Sequence, residues 1–136
     1  MFDKPFALEV ITPERTVLST QAVGVSAPGV EGGFQVLFHH APLLSALEIG
    51  RVTVRSADGT EQVYATSGGF LEVRDNKVLL LLETAERLQD IDAQRAEAAR
   101  DRAQQRLAHR TPDLDIVRAE ASLHRALNRL RAVRKS

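Results

Sequence analysis

The chain contains no cysteine and no tryptophan, and its 136 residues include only five phenylalanines and one tyrosine. Without cysteine there is no disulfide framework, no thiolate zinc site and no cysteine nucleophile. So few aromatic rings leave little surface on which nucleic-acid bases could stack. We therefore expect a fold that is stabilised by the packing of aliphatic side chains.

Long apolar segments are also missing. The longest aliphatic run, residues 78–82, is far shorter than the ~20 residues of a membrane-spanning helix. The first five residues lack the apolar core of a signal peptide and the Arg- and Ser-rich composition of a transit peptide. We expect no bilayer-spanning segment and no cleaved leader.

The net charge is zero, but the charges are unevenly distributed along the chain. Residues 1–85 have a net charge of −4, whereas residues 86–136 have a net charge of +4. All eight glycines and four of the five prolines lie in the first part. Because glycine and proline mark turns, their loss after residue 85 favours long helices. The sequence thus predicts a domain at 1–85 and a second domain at 86–136.

The first part has the spacing of short strands that is typical of all-β sandwiches and barrels. Polar and apolar residues alternate over 51–56, and the Asp58-Gly59 turn that follows fits a tight hairpin. Asp75-Asn76 predicts a second hairpin, whose apolar run at 78–82 indicates a strand covered on both faces. The predicted strands are 6–11, 16–20, 22–27, 34–38, 51–56, 62–66, 70–74 and 77–83, and eight to ten strands fit in all.

Two loops carry residues that could serve a ligand. A glycine-rich loop at 28–33 precedes His39 and His40, and Ser67 stands before a pair of glycines. Phosphate binding, metal binding or nucleophilic catalysis would each need further residues that the sequence lacks, such as Gly-Lys-Ser/Thr or Gly-x-Ser-x-Gly. Turn and packing roles are favoured, with ligand chemistry as the weaker alternative.

The second part predicts an antiparallel two-helix hairpin. One helix begins at Asp90 as N-cap and ends near His109, and the other has Thr111 as N-cap, Pro112 in its first turn and an end near Arg134. Apolar residues at helical spacing predict the seam between the two helices. They are Ala96, Ala99, Ala103 and Leu107 on the first helix and Ile116, Ala119, Leu123, Leu127 and Leu130 on the second.

Arginines form one stripe on each helix with the same seven-and-four spacing. The stripes are Arg95, Arg102 and Arg106 on the first helix and Arg118, Arg125 and Arg129 on the second. Arginines four residues apart repel one another unless an anion lies between them. Converging stripes would suit phosphate groups. The alternatives are a solvated face neutralised by Glu97, Asp101 and Glu120, an acidic protein partner or, less favoured, nucleic acid.

Four strings together resemble the epsilon subunits of bacterial rotary ATP synthases. They are Gly-Val-Glu-Gly at 29–32, His-Ala-Pro-Leu-Leu at 40–44, Ser-Gly-Gly-Phe-Leu-Glu-Val at 67–73 and Ile-Asp-Ala-Gln-Arg-Ala at 91–96. The last is similar to the Ile/Leu-Asp-x-x-Arg-Ala motif of the ATP-binding members. The resemblance implies an α+β chain with an N-terminal β-sandwich and a C-terminal helical hairpin.

The resemblance also implies a function and a set of partners. The chain would be a non-catalytic central-stalk subunit that contacts the gamma subunit and the c-ring, through residues that include Glu31, Gly32, His40 and Pro42. Its helices would inhibit ATP hydrolysis when they extend toward the alpha and beta subunits. It would bind no nucleic acid and would meet the cytoplasmic face of the plasma membrane only through the complex.

ATP is the regulatory ligand that the resemblance implies, bound to the folded hairpin, not hydrolysed and without a required metal. The matching positions are Glu86, Ile91, Asp92, Arg95, Arg102, Arg125 and Arg129. Two other functions stay open from the residues alone. One is a free-standing adaptor whose arginines bind an acidic partner, and the other is a small hydrolase that uses His39 or His40.

Overall fold

The structure is a computed structural model that describes residues 4–38 and 40–134. The chain divides into two compact units, Met1–Arg87 and Leu88–Ser136. The first consists of strands and the second of helices, so an N-terminal β-sandwich followed by a helical hairpin is confirmed. The dividing point comes two residues after the predicted end of the first domain at 85.

Nine strands form the first unit among the described residues, within the predicted range. They are β1 (Phe6–Ile11), β2 (Thr16–Gly29), β3 (Gly32–Val36), β4 (Leu43–Leu47), β5 (Gly50–Ser56), β6 (Glu61–Thr66), β7 (Gly69–Arg74), β8 (Lys77–Leu82) and β9 (Glu86–Arg87). Both predicted hairpins are confirmed, as β5 with β6 and β7 with β8.

The long strand β2 belongs to both layers of the sandwich. Its first half pairs with β1, where Phe6 faces Ala22, and its second half pairs with β5 and β3. The pairing order is β1-β8-β7-β4-β2-β5-β6-β9, with β3 beside β2 and β1 also joined to β2. Only β1 and β8 run parallel within the described sheet. The two layers enclose a core of alternating apolar residues that includes Phe6, Leu8, Val52, Tyr64 and Leu80.

The predicted strands do not include β9, and three further predictions differ from the structure. The strand β4 was not predicted, because Leu-Leu-Ser-Ala-Leu has no β-branched residue, and it forms by pairing with β7. The segments 16–20 and 22–27 are one continuous strand in which the exposed Gln21 keeps the alternation. The expectation that 78–82 is covered on both faces is wrong, since Leu81 is 45% exposed while Leu80 and Leu82 are buried.

The second unit contains a 3₁₀ turn (Leu88–Asp90), helix α1 (Ala93–Ala108) and helix α2 (Ile116–Arg134). Neither predicted N-cap is right. Asp92 caps α1, and the Asp115 carboxylate caps α2 by accepting from the Arg118 N–H at 3.0 Å. Asp90 belongs to the 3₁₀ turn, and the Thr111 carbonyl accepts from the Leu114 N–H in the loop. No helix of the described chain is long and apolar enough to cross a membrane.

The seam between α1 and α2 is built mainly from alanine. Ala96 and Ala103 are buried on α1, and Ala119, Ala126 and Leu130 are buried on α2. Ile116 does not belong to the seam, because it is the first residue of α2 and is 38% exposed. Alanine lets the helix backbones approach closely but buries little apolar area at ~25 cal/mol per Å². We therefore expect the seam to hold the hairpin only weakly.

Candidate functional site

The two arginine stripes lie on the same side of the hairpin. With ~100° between successive helical residues, each stripe is about 100° from the buried alanines of its own helix, in the same rotational sense. The connecting loop is short and the helices pack on each other, so α1 and α2 run antiparallel. In an antiparallel pair, equal offsets of the same sense point to the same side. The stripes of α1 and α2 therefore face the same side of the hairpin.

Two arginines of the α2 stripe are more buried than those of α1. Arg95 and Arg102 are exposed, whereas Arg125 and Arg129 are half-buried. The Arg125 Nη2 donates to the Ser122 Oγ at 3.0 Å, and this hydroxyl donates in turn to the Arg118 carbonyl at 3.0 Å. Ser122 therefore orients Arg125. The sequence interpretation missed Ser122, although a hydroxyl three residues before an arginine on a helix is a readable signal.

The acidic residues of the helices lie away from the stripes. The same helical periodicity puts Glu97, Asp101 and Glu120 on the opposite side of the hairpin. Asp101 pairs with Arg100, which belongs to neither stripe, at 3.1 Å. Within residues 4–38 and 40–134, no recorded ion pair joins Arg95, Arg102 or Arg125 to an acid. The hairpin therefore presents one basic side on which guanidinium groups repel one another.

The start of α1 borders this basic side. The Asp92 Oδ1 accepts from the Arg95 N–H at 3.1 Å, and the Ile91 N–H donates to the Leu88 carbonyl at 3.3 Å. Helix capping is thus a structural role that Asp92 already has, and it holds Arg95 at the first turn. Because the helices are antiparallel, Arg95 lies toward Arg129.

Glu86 is the one predicted ATP ligand that belongs to the first unit. It is half-buried in β9, where it pairs with Ala65 of β6, and belongs to the first unit. The remaining six all lie in the second unit. The structure therefore groups Ile91, Asp92 and Arg95 at the start of α1, with the other arginines along the hairpin.

The four predicted subunit-contact residues separate into two loops. Glu31 and Gly32 are exposed at the β2–β3 turn, where Gly32 has a φ of +131°. His40 and Pro42 lie beyond the other end of β3. Five extended residues span roughly 17 Å, so the structure does not bring the two pairs together.

The second loop is held by His40. Its Nδ1–H donates to the Ala41 carbonyl at 2.7 Å, because a carbonyl can only accept, and its backbone N–H donates to the Leu37 carbonyl. His39 lies outside the described residues. Among the described residues no three His, Asp or Glu side chains form a possible metal-binding group.

Ser67 belongs to a turn. Its Oγ lies 2.8 Å from the Thr84 Oγ1, and its backbone N–H donates to the same Thr84 oxygen at 3.1 Å. These bonds tie the turn after β6 to the segment after β8. The structure therefore gives Ser67 a turn role.

Each of the two units matches a known family of protein domains. A model of the ATP synthase delta/epsilon chain β-sandwich domain matches residues 5–88. A model of the long α-helix domain of the same chain matches residues 89–134. The chain belongs to the epsilon-chain family of F-type ATP synthases.

Bacterial relatives share about half of the aligned residues. The chain is 53% identical over 106 residues to the ATP synthase epsilon chain of Nitratidesulfovibrio vulgaris, covering 78% of each chain. It is 52% identical over 108 residues to that of Pelotomaculum thermopropionicum, covering 79% of this chain and 80% of the relative. The epsilon-family chain described here is accordingly a central-stalk subunit of the ATP synthase.

Solved structures show the same fold at low sequence identity. A chain in the Euglena gracilis mitochondrial ATP synthase superimposes with a TM-score of 0.78 at 24% identity, covering 88% of this chain and 76% of that one. A chain of the Tetrahymena thermophila mitochondrial central stalk and c-ring gives a TM-score of 0.59 at 14% identity, covering 95% and 93%. These likenesses concern the fold alone.

Proposed function

We propose that this chain is a non-catalytic rotor subunit that couples the catalytic head of a proton-translocating ATP synthase to the c-ring, and that its helical hairpin is an ATP-controlled switch. The sandwich contacts the gamma subunit and the c-ring through the loops that carry Glu31, Gly32, His40 and Pro42. The folded hairpin permits ATP hydrolysis, and the extended hairpin inhibits it by reaching the alpha and beta subunits. The subunit lies at the cytoplasmic face of the membrane, attached through the complex.

The observation that carries this proposal is the one-sided arrangement of the arginines. Two stripes share a side of the hairpin, with the helical acids Glu97, Asp101 and Glu120 on the other. A triphosphate would bind several guanidinium groups by charge-assisted hydrogen bonds and remove their mutual repulsion. Arg95, Arg102, Arg125 and Arg129 would hold the phosphates, while Glu86, Ile91 and Asp92 would lie near the base.

The energetics of the hairpin suit a ligand-controlled switch. Its alanine seam buries little apolar area, so a modest free energy decides between folded and extended states. A ligand that binds only the folded form stabilises it by ~2.7 kcal/mol at one hundred times its dissociation constant. At 1.5 Å per residue, α1 and α2 are ~24 and ~28 Å long, so extension roughly doubles the reach of the hairpin.

Isothermal calorimetry of the isolated protein tests ATP binding directly. We expect ATP to bind without being hydrolysed, and to bind equally after dialysis against a chelator. Arg125→Ala should weaken binding at least tenfold, because it removes an oriented, half-buried guanidinium. Arg131→Ala is the matched control, since Arg131 is exposed on the other side of α2 and should keep ATP affinity within twofold.

A second measurement tests the switch in the assembled synthase. Arg125→Ala should make the inhibition of ATP hydrolysis persist at higher ATP concentrations than in the parent. An absence of ATP binding at millimolar concentration would refute the nucleotide role. The arginines would then be better explained as contacts of the extended helices with acidic surfaces of the catalytic head.

A further inference from the structure

A shallow depression on the outer face of the sandwich holds an unsatisfied arginine. It has a volume of roughly 510 Å³ and lies over β2, β3 and β5. Arg51 lines it, and the Arg51 Nε is buried with no hydrogen-bond partner among the described residues. A buried N–H without a partner loses its hydration and gains nothing in return.

The lining of the depression suits one negatively charged group. Ser26 and Gln35 contribute polar side chains and Pro28 contributes apolar surface, whereas the Phe34 ring packs against the core on the other face of β3. The seven lining residues include no acidic side chain, and no recorded ion pair within the described chain involves Arg51. Apolar walls strengthen a charge interaction by excluding water.

We propose that this depression receives a carboxylate side chain from another subunit of the ATP synthase, bound by the guanidinium of Arg51. A turn of the flexible arginine stem brings the Nε–H and one terminal N–H to the depression, and this pair of donors matches the two oxygens of a carboxylate. A single guanidinium suits a singly charged carboxylate, in contrast to the arginine cluster of the hairpin. The aliphatic stem of the incoming acid packs on Pro28.

The test measures how tightly variants of the full chain bind a synthase complex from which this subunit has been removed. We expect Arg51→Met to weaken binding at least tenfold. Arg51→Lys should weaken it at least threefold, because lysine keeps the charge but loses the paired donors. Arg55→Met is the matched control, since Arg55 lies on the same face of β5, across Gly24, outside the depression. It should change binding by less than twofold.

Two further readouts separate recognition from a structural role. The melting temperature of the free Arg51→Met chain should equal or exceed that of the parent, because an unsatisfied donor is removed. Raising the salt concentration from about 0.05 to about 0.5 M should weaken binding of the parent chain to the complex more than binding of Arg51→Met, since salt screens the charge pair. Parent-like binding by Arg51→Lys, an equal loss in Arg55→Met or equal salt dependence would each overturn the proposal.

The inference rests on membership of the complex and is independent of nucleotide binding. Arg51→Met should therefore keep the ATP affinity of the parent in calorimetry. A failure of the ATP proposal leaves the subunit-binding test unchanged.

Discussion

At the scale of single residues, Gly69 shows how closely the two strands of the β7–β8 hairpin approach each other. It has a φ of +149°, and a Cβ at this position would collide with the Leu81 carbonyl on the neighbouring strand β8. Gly33, in contrast, lies in β3 with a Cβ position that meets nothing closer than 3.8 Å. The two glycines thus have different reasons to be present, although the sequence shows both simply as second members of a Gly-Gly pair.

Gly69→Ala should lower the free energy of unfolding by about 2–4 kcal/mol, because the new methyl group forces the backbone of β7 or β8 to move. Gly33→Ala should change it by less than about 1 kcal/mol. Urea unfolding followed by circular dichroism measures both. Similar values for the two variants would contradict the close approach of β7 and β8.

Asp58 provides a pH-dependent interaction in the β5–β6 turn. The Thr60 hydroxyl donates to the Asp58 Oδ1 at 2.7 Å and the Thr60 backbone N–H donates at 2.9 Å. These bonds favour the ionised carboxylate and lower the pKa of Asp58 below its ordinary value of 3.8. The ionised Asp58 carboxylate therefore stabilises the folded state. This stability is fully present when the pH is above the pKa of Asp58 in the unfolded chain, and it is lost as the pH falls through the lower pKa of the folded chain.

Thr60→Val should therefore raise the pKa of Asp58 toward its ordinary value, since the side-chain bond is lost and the backbone bond stays. Carbon-detected NMR titration of the Asp58 carboxyl group measures the change. The stability difference between parent and variant should be present at neutral pH and shrink below about pH 4. An unchanged Asp58 titration would show that the hydroxyl does not hold the carboxylate in solution.

At the scale of elements, the helix caps decide where the hairpin begins and turns. Both observed caps are aspartates whose carboxylates accept from the backbone N–H three residues later, Asp92 from Arg95 and Asp115 from Arg118. The loop before α2 contains a turn closed by Thr111, so Pro112 shapes the loop rather than the helix start. Several residue types that favour helix starts lie close together before each helix. The sequence alone therefore predicts the wrong N-cap residues.

Asp115→Ala should destabilise the helical unit by about 0.5–2 kcal/mol, the usual loss when a capping carboxylate is removed. Asp113→Ala is the control, because Asp113 is exposed in the loop before α2. Asp113→Ala should change the free energy of unfolding of the helical unit by less than about 0.5 kcal/mol. The helical signal at 222 nm during thermal unfolding reports the difference. If Asp113→Ala proves the more harmful change, the start of α2 is misassigned.

At the scale of the whole molecule, the chain consists of two units with different sources of stability. The first has a core of large apolar side chains such as Phe6, Leu71 and Leu80, whereas the buried residues of the second are mainly alanines. The last strand of the first unit is β9, which pairs with Tyr64 and Ala65 of β6. We therefore expect the first unit to fold alone, with β9 adding to its stability.

A fragment of residues 1–87 should melt cooperatively, whereas a fragment of residues 1–85 should melt at a lower temperature because it lacks β9. For a domain of this size, each kcal/mol lost lowers the melting temperature by roughly 4–8 °C. Differential scanning calorimetry of both fragments makes the comparison. The absence of a thermal transition in 1–87 would show that the sandwich depends on the helices. Equal melting temperatures would show that β9 contributes nothing.

Features that depend on neighbouring residues could be predicted without the folded structure. Glycine, proline and charge usage separated the sandwich from the helices, and the Asp58-Gly59 and Asp75-Asn76 turns located two hairpins. Spacing alone also identified the arginine stripes. Turn conformation and helical periodicity are set within a few residues, so they can be read from the chain directly.

Features that need a partner far away in the chain became visible only once the chain was folded. The strand β4 exists because β7 pairs with it, and β8 buries one face because only Val78, Leu80 and Leu82 meet the core. The separation of Glu31 from His40 by β3 likewise follows from strand pairing, and the unsatisfied Nε of Arg51 is visible only in the folded chain. Hydrogen bonds between strands and contacts in a core join residues far apart in the chain, and local propensity carries no information about which residues those are.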